Sequence, residues 1–101
     1  MPEPSANTAL EPVWLVEATY APDAAETRVP FRAEHLAGIR KRLASGDYVE
    51  AGAFADVSAS VILVRAESAE AAISLVSDDV YLRNGVWVEV RARAFGRVTP
   101  E

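Results

Sequence analysis

VWVEVRARAF, residues 86–95, alternates without a break. Val86, Val88, Val90, Ala92 and Ala94 form one set, and Trp87, Glu89, Arg91, Arg93 and Phe95 the other. That two-residue period is the signature of a strand with one face buried. The small apolar set is expected to pack under helices. The other set mixes aromatic and charged side chains, which suits a partly covered surface. Either it lines a cavity or, the expected case, it meets a second copy of the chain.

Reading upstream, Asn84–Gly85 is a turn signal, and AEAAISLV is a short helix with Ser68 as its N-cap. SVILVRAE, from Ser60, carries a run of β-branched residues and reads as a strand. DYVEAGAFA, residues 47–55, reads as another, with Gly52 marking a bulge or a close approach by another group. Before it, a helix is predicted to begin near Pro30 or Phe31, run through FRAEHLAGIRKRLAS and stop at Gly46. Leu36, Ile39 and Leu43 form its apolar stripe. VWLVEATY, residues 13–20, is the first strand, with Trp14, Val16, Ala18 and Tyr20 on one face; Trp14 is expected in the core or at an interface. Residues 1–11 hold two prolines, with a third at Pro12, and no apolar period and read as a flexible N-terminal tail, leaving a single domain over residues 12–98.

The order strand, helix, strand, strand, helix, strand is the ferredoxin-like βαββαβ arrangement of the α+β class. Right-handed crossovers place both helices on one face of an antiparallel sheet. The other face is left bare, and two copies stacking those faces would cover it, so a homodimer is expected.

Composition narrows the function. The chain has 101 residues, one domain's worth, and half of them are hydrophobic, which excludes a disordered chain. It contains no cysteine, so disulfides, thiolate zinc sites and cysteine nucleophiles are excluded. A single histidine excludes a multi-histidine metal site within one chain, and no carboxylate ligand loop is visible; no metal and no cofactor is expected. The net charge of −5 argues against nucleic acid. No apolar run approaches a membrane span, and the first residues lack the pattern of a secretory signal, so the expected location is cytoplasmic.

Phosphate-loop, nucleophile-elbow and zinc-helix motifs are all absent. His35, within FRAEHL, is the one side chain whose ordinary titration lies near neutrality. It borders the apolar stripe of the first helix, with Arg32 one turn earlier on the same side. On its own it is either a helix-surface histidine or an acid/base that needs an orienting carboxylate. The end of the second helix can approach the start of the first, which makes Asp79 a sterically reasonable partner.

Taken together, RVPFRAEHL, the Ala51–Gly52 pair, Ser60, and Asp79–Tyr81 followed by Gly85–Val86 and Phe95 resemble the YciI-like (YCII-related) family. Arg28, Arg32, His35 and Leu36 fit the family's first motif. The resemblance runs from about Val13 to Val98. Two differences stand out: Val80 occupies the place of a proline between Asp and Tyr, and Ala53 that of a proline after Ala-Gly, in a short segment before Ser60.

The resemblance implies a dimeric ferredoxin-like α+β protein of the dimeric α+β barrel superfamily, with a site centred on histidine and aspartate. That superfamily includes a dehydrochlorinase of a chlorinated aromatic, lactone isomerases and cofactor-free monooxygenases. By the same resemblance His35 and Asp79 are the catalytic dyad, and Arg32, Ser60 and Tyr81 bind substrate. Arg32 would hold a carboxylate or enolate, or else pair with a nearby acid. Ser60 and Tyr81 would donate to an oxyanion, or else serve as a strand-end hydroxyl and a packing aromatic. The expected activity is that of a cofactor-independent lyase, such as a dehydrohalogenase, or an isomerase acting on a small organic molecule. The alternative is a non-catalytic small-ligand-binding or accessory module, to which Val80 lends weight.

Overall fold

The computed structural model of the chain describes residues 10–100. Strand β1 spans Leu10–Tyr20, and a single helical turn, α1, covers Ala24–Thr27. A 3-10 turn over Val29–Phe31 leads into helix α2, Arg32–Ser45. Strands β2 (Tyr48–Ala53) and β3 (Ala59–Val64) follow, then helix α3 (Ala69–Ser77), the short α4 (Val80–Arg83) and strand β4 (Trp87–Val98). The four strands form one sheet in the order β2-β3-β1-β4, with every neighbouring pair antiparallel. The chain is therefore α+β with the ferredoxin-like βαββαβ topology.

Local chemistry explains the helix ends. Pro30 sits in the 3-10 turn, where a missing N–H costs nothing. Gly46 ends α2 at φ 89°, a left-handed conformation that glycine adopts without penalty, and its N–H reaches back to the carbonyl of Arg42. The Ser68 hydroxyl caps α3 by accepting the N–H of Ala71 at 3.0 Å.

Both main helices pack on one face of the sheet. Ile39 of α2 and Ala72 and Val76 of α3 join Val16, Ala18, Ile62 and Val64 in one core. Trp14 packs at the edge of this core and donates its indole N–H to the carbonyl of Ala66 at 3.0 Å. The opposite sheet face carries Leu15, Glu17, Arg91 and Arg93 around a shallow groove. Glu17 accepts a hydrogen bond from Arg91 there at 3.2 Å.

Three expectations need correction. Leu10 and Glu11 do not belong to the tail: they pair with Val98 and Arg97, and Glu11 accepts from both Arg65 and Arg97. The rest of the expected 1–11 tail lies outside the described residues. Gly52 forms no bulge, because it pairs in register with Val61; the irregularity of β2 falls between Tyr48 and Glu50. An added Cβ at Gly52 would meet nothing within 4 Å, so no group closely approaches it either.

The third correction matters most. The ladder shifts between Thr19 and Tyr20, with Thr19 opposite Glu89 but Tyr20 opposite Trp87. One extra residue, Val88, is accommodated on β4, and such a bulge reverses the alternation on one side of it. Trp87 therefore turns into the core at 1% exposure, while Val88 is 58% exposed. Trp87 does not share a surface with Glu89, Arg91 and Arg93.

Candidate functional site

The bulge at Val88 places Trp87 beside three other rings. Tyr81, on α4, stands edge-on to Trp87 with centroids 5.6 Å apart, and Tyr20, at the end of β1, approaches both. The His35 ring completes the group, edge-on to Trp87 at 5.3 Å and stacked on Tyr81 at 3.7 Å with the planes 5° apart. Such contacts fix ring orientation as well as burying apolar area. The Trp87 indole N–H is buried and has no hydrogen-bond partner among the described residues.

His35 is buried early in α2. Its Nδ1 lies 2.8 Å from Oδ1 and 2.9 Å from Oδ2 of Asp79, and against a carboxylate, which only accepts, Nδ1–H is the donor. Asp79 is itself held in place as the N-cap of α4, where its Oδ1 accepts the Tyr81 N–H at 2.8 Å. This cap persists with Val80 in the first helical position, a position where proline and other residues are both accommodated. One aspartate thus ends a loop, starts a helix and orients the imidazole.

His35 lines two cavities. One, of about 520 Å³, includes Asp79 in its wall together with Lys41, Arg42, Tyr48 and Asp78. The other, of about 310 Å³, is lined by Tyr20, Trp87, Tyr81, Ser60, Arg28 and Arg32 among others, and Asp79 does not reach it. Nδ1 is committed to Asp79, and the same residue, His35, also lines the second cavity.

The sequence-selected residues distribute as follows. His35 and Asp79 are in contact. Arg32 lines the aromatic cavity and has no ion-pair partner among the described residues, so the alternative of a neighbouring acid is not realised. Ser60 lies on the core face of β3 and donates to the Tyr20 hydroxyl at 3.1 Å, which commits its proton. Tyr81 contributes its ring as a platform and its N–H to Asp79. Burial pushes the Tyr81 hydroxyl above its ordinary range; the nearby Tyr20 adds to this, and Arg28 and Arg32 act in the opposite direction.

Sequence reasoning missed Tyr20 and misassigned Trp87. Tyr20 shares a face of β1 with Ala18, the partner of Ser60, and stands at the strand end two residues further on. Nothing in the local pattern indicated the phase change that brings in Trp87. The narrow residues of β2 also matter: Ala51 pairs with Ile62 and Ala53 with Ser60, so small side chains face the cavity beside the serine.

The comparisons bear on this geometry. Among solved structures, the chain is similar to the 5-chloro-2-hydroxyhydroquinone dehydrochlorinase of Burkholderia phenoliruptrix, determined in complex with 2,5-dihydroxybenzoquinone. The TM-score is 0.69 at 18% identity, covering 82% of this chain and 92% of the other, a likeness that carries the fold. No match was found among curated proteins. The YCII-related domain matches residues 13–96, which takes in every residue of both cavities. The chain belongs to the YCII-related family.

Proposed function

We propose that the protein is a cofactor-independent acid/base enzyme, a lyase or isomerase, that moves a proton on a small organic molecule through His35 and Asp79. The observation that carries this reading is the buried Nδ1–carboxylate contact of His35, a residue that also lines an aromatic cavity. Neutral His35 then has a lone pair on Nε2. That nitrogen removes a proton from a carbon next to a carbonyl or an ionisable ring hydroxyl. In an elimination, the C–H electron pair becomes the new double bond while the bond to the leaving group breaks and that group departs with its electrons. In an isomerisation, the same proton returns to a different carbon. Asp79 stabilises the imidazolium formed in between. Tyr20, whose oxygen already accepts from Ser60, retains its own proton to donate to an oxyanion.

The fold and family likeness to a dehydrochlorinase supports the lyase form of this reading. We further propose a homodimer built on the bare sheet face, in the cytoplasm. Among the described residues no helix is long and apolar enough to cross a membrane. The test is a panel of hydroxylated chloroaromatics and small enolisable ketones, followed by halide release and by proton exchange at carbon. His35→Gln is expected to lower any turnover by about 10²–10⁴-fold, the usual contribution of a positioned acid/base. Turnover that survives His35→Gln unchanged contradicts the proposal.

A further inference from the structure

The aromatic cavity has an electrostatic character that the rest of the chain does not share. The protein as a whole carries a net charge of −5, with fifteen acidic residues. Yet no Asp or Glu lines the cavity, and two arginines, Arg28 and Arg32, do. Neither makes an ion pair among the described residues; Arg40, Lys41 and Arg93 are likewise without one, but Arg28 and Arg32 are the two that share one cavity wall. Arg28 is half-buried and Arg32 is exposed. Arg28 precedes the 3-10 turn and Arg32 opens α2, so the turn at Val29–Phe31 sets both residues on the same cavity.

Two cations lining one cavity repel each other, weakly where solvent screens them, and both attract an anion placed between them. A cavity with low-dielectric walls and one sign of charge concentrates the opposite sign. Arginine forks match planar carboxylate and enolate-like oxygens. The remaining walls, Tyr20, Tyr81, Trp87 and Ile39 among them, suit a flat apolar body, and about 310 Å³ lies at the small end of ligand sites.

We propose that the ligand is a small conjugated acid bound as its anion, with the charged oxygens on Arg28 and Arg32 and the planar body among the aromatic walls near His35. This rests on the reading that His35 works in this cavity, and it adds a substrate class and one residue, Arg28. It also has a chemical consequence: two cations stabilise the extra negative charge that appears when His35 removes a proton from such a ligand.

The test compares 2-hydroxybenzoate with its neutral isostere 2-hydroxybenzamide, titrated into the full chain and followed by backbone amide NMR at Ala51, Gly52 and neighbours. The anion is expected to perturb the cavity amides and to bind at least ~10-fold more tightly than the amide. Arg28→Gln with Arg32→Gln should bring the anion down to the affinity of the amide and leave the amide unchanged. The Lys double variant should retain part of the preference, which guards against a folding artefact. Equal affinities in the unaltered protein, a preference that survives the Gln double variant, or no response of the cavity amides to either probe overturns the inference. The same samples report the His35 tautomer. An Nε2–H ring would sink the acid/base reading while leaving the anion preference legible, and the converse result would separate the two in the other direction.

Discussion

The imidazole of His35 lies flat on the ring of Tyr81, centroids 3.7 Å apart and planes 5° from parallel, while the backbone N–H of Tyr81 binds the same carboxylate that holds the imidazole. Tyr81 therefore positions His35 twice, by its ring directly and by its N–H through Asp79. The N–H is kept in any non-proline variant, so side-chain changes isolate the stacking. Tyr81→Phe is expected to cost less than about 1 kcal/mol, because the hydroxyl makes no hydrogen bond among the described residues. Tyr81→Ala should cost about 3–5 kcal/mol, the usual penalty for removing a buried aromatic. Chemical denaturation of the two variants checks both figures.

The bulge on β4 makes a sharp prediction about neighbours in sequence. Val88→Lys should change stability by no more than about 0.5 kcal/mol, since the side chain is exposed. Trp87→Ala should cost about 3–5 kcal/mol. An uninterrupted alternation would predict the reverse order, so the midpoints of the two unfolding curves decide the phase of the strand.

Alkaline stability should depend on Tyr48. Its hydroxyl is pushed up to about 12, chiefly by burial, against an ordinary value of 10.0. The folded state keeps the proton that the unfolded chain loses, so this contribution is fully present below pH 10 and disappears as the pH rises through about 12. A shift of that size corresponds to about 2–3 kcal/mol. Stability measured from pH 9 upward should fall in this window, and Tyr48→Phe should flatten that fall.

The bare sheet face predicts association. Leu15, Val61 and Leu63 are only half-covered there, and Phe95 is 41% exposed. Light scattering at micromolar concentration should return twice the chain mass of 10.9 kDa. Arg93→Glu, on the same face, should shift the population toward single chains by placing a second acid in the groove beside Glu17. A chain that scatters as a monomer in both forms contradicts the homodimer.

Much of the architecture was legible in the residues. The Gly46 stop, the Ser68 cap and the element order are local features, each set by chemistry within a few positions; the expected α2 stripe is not reproduced, since Ile39 is buried but Leu43 is 39% exposed and His35 takes the other buried position. The proximity of His35 and Asp79 followed from the antiparallel placement of the helices together with the family resemblance. What escaped was set by partners distant in the chain. Trp87 changes face because β1 accepts an extra residue opposite Thr19 and Tyr20, a property of the pairing and invisible in an alternating pattern read alone. Tyr20 gains its place in the site from Ser60, forty residues away. The start of β1 at Leu10 likewise depends on Arg97 and Val98 at the far end of the chain.

The central claim is that Asp79 holds His35 with Nε2 free to take a proton. The most direct test is ring ¹⁵N NMR of His35, at a pH where the ring is neutral, in the unaltered protein and in Asp79→Asn. The unaltered protein should show Nδ1 protonated and Nε2 bare. In the variant, the Asn oxygen is expected to keep the cap on the Tyr81 N–H, which turns its amide nitrogen toward Nδ1 and reverses the tautomer. Protonated Nε2 in the unaltered protein, or the same tautomer in both, would contradict the account.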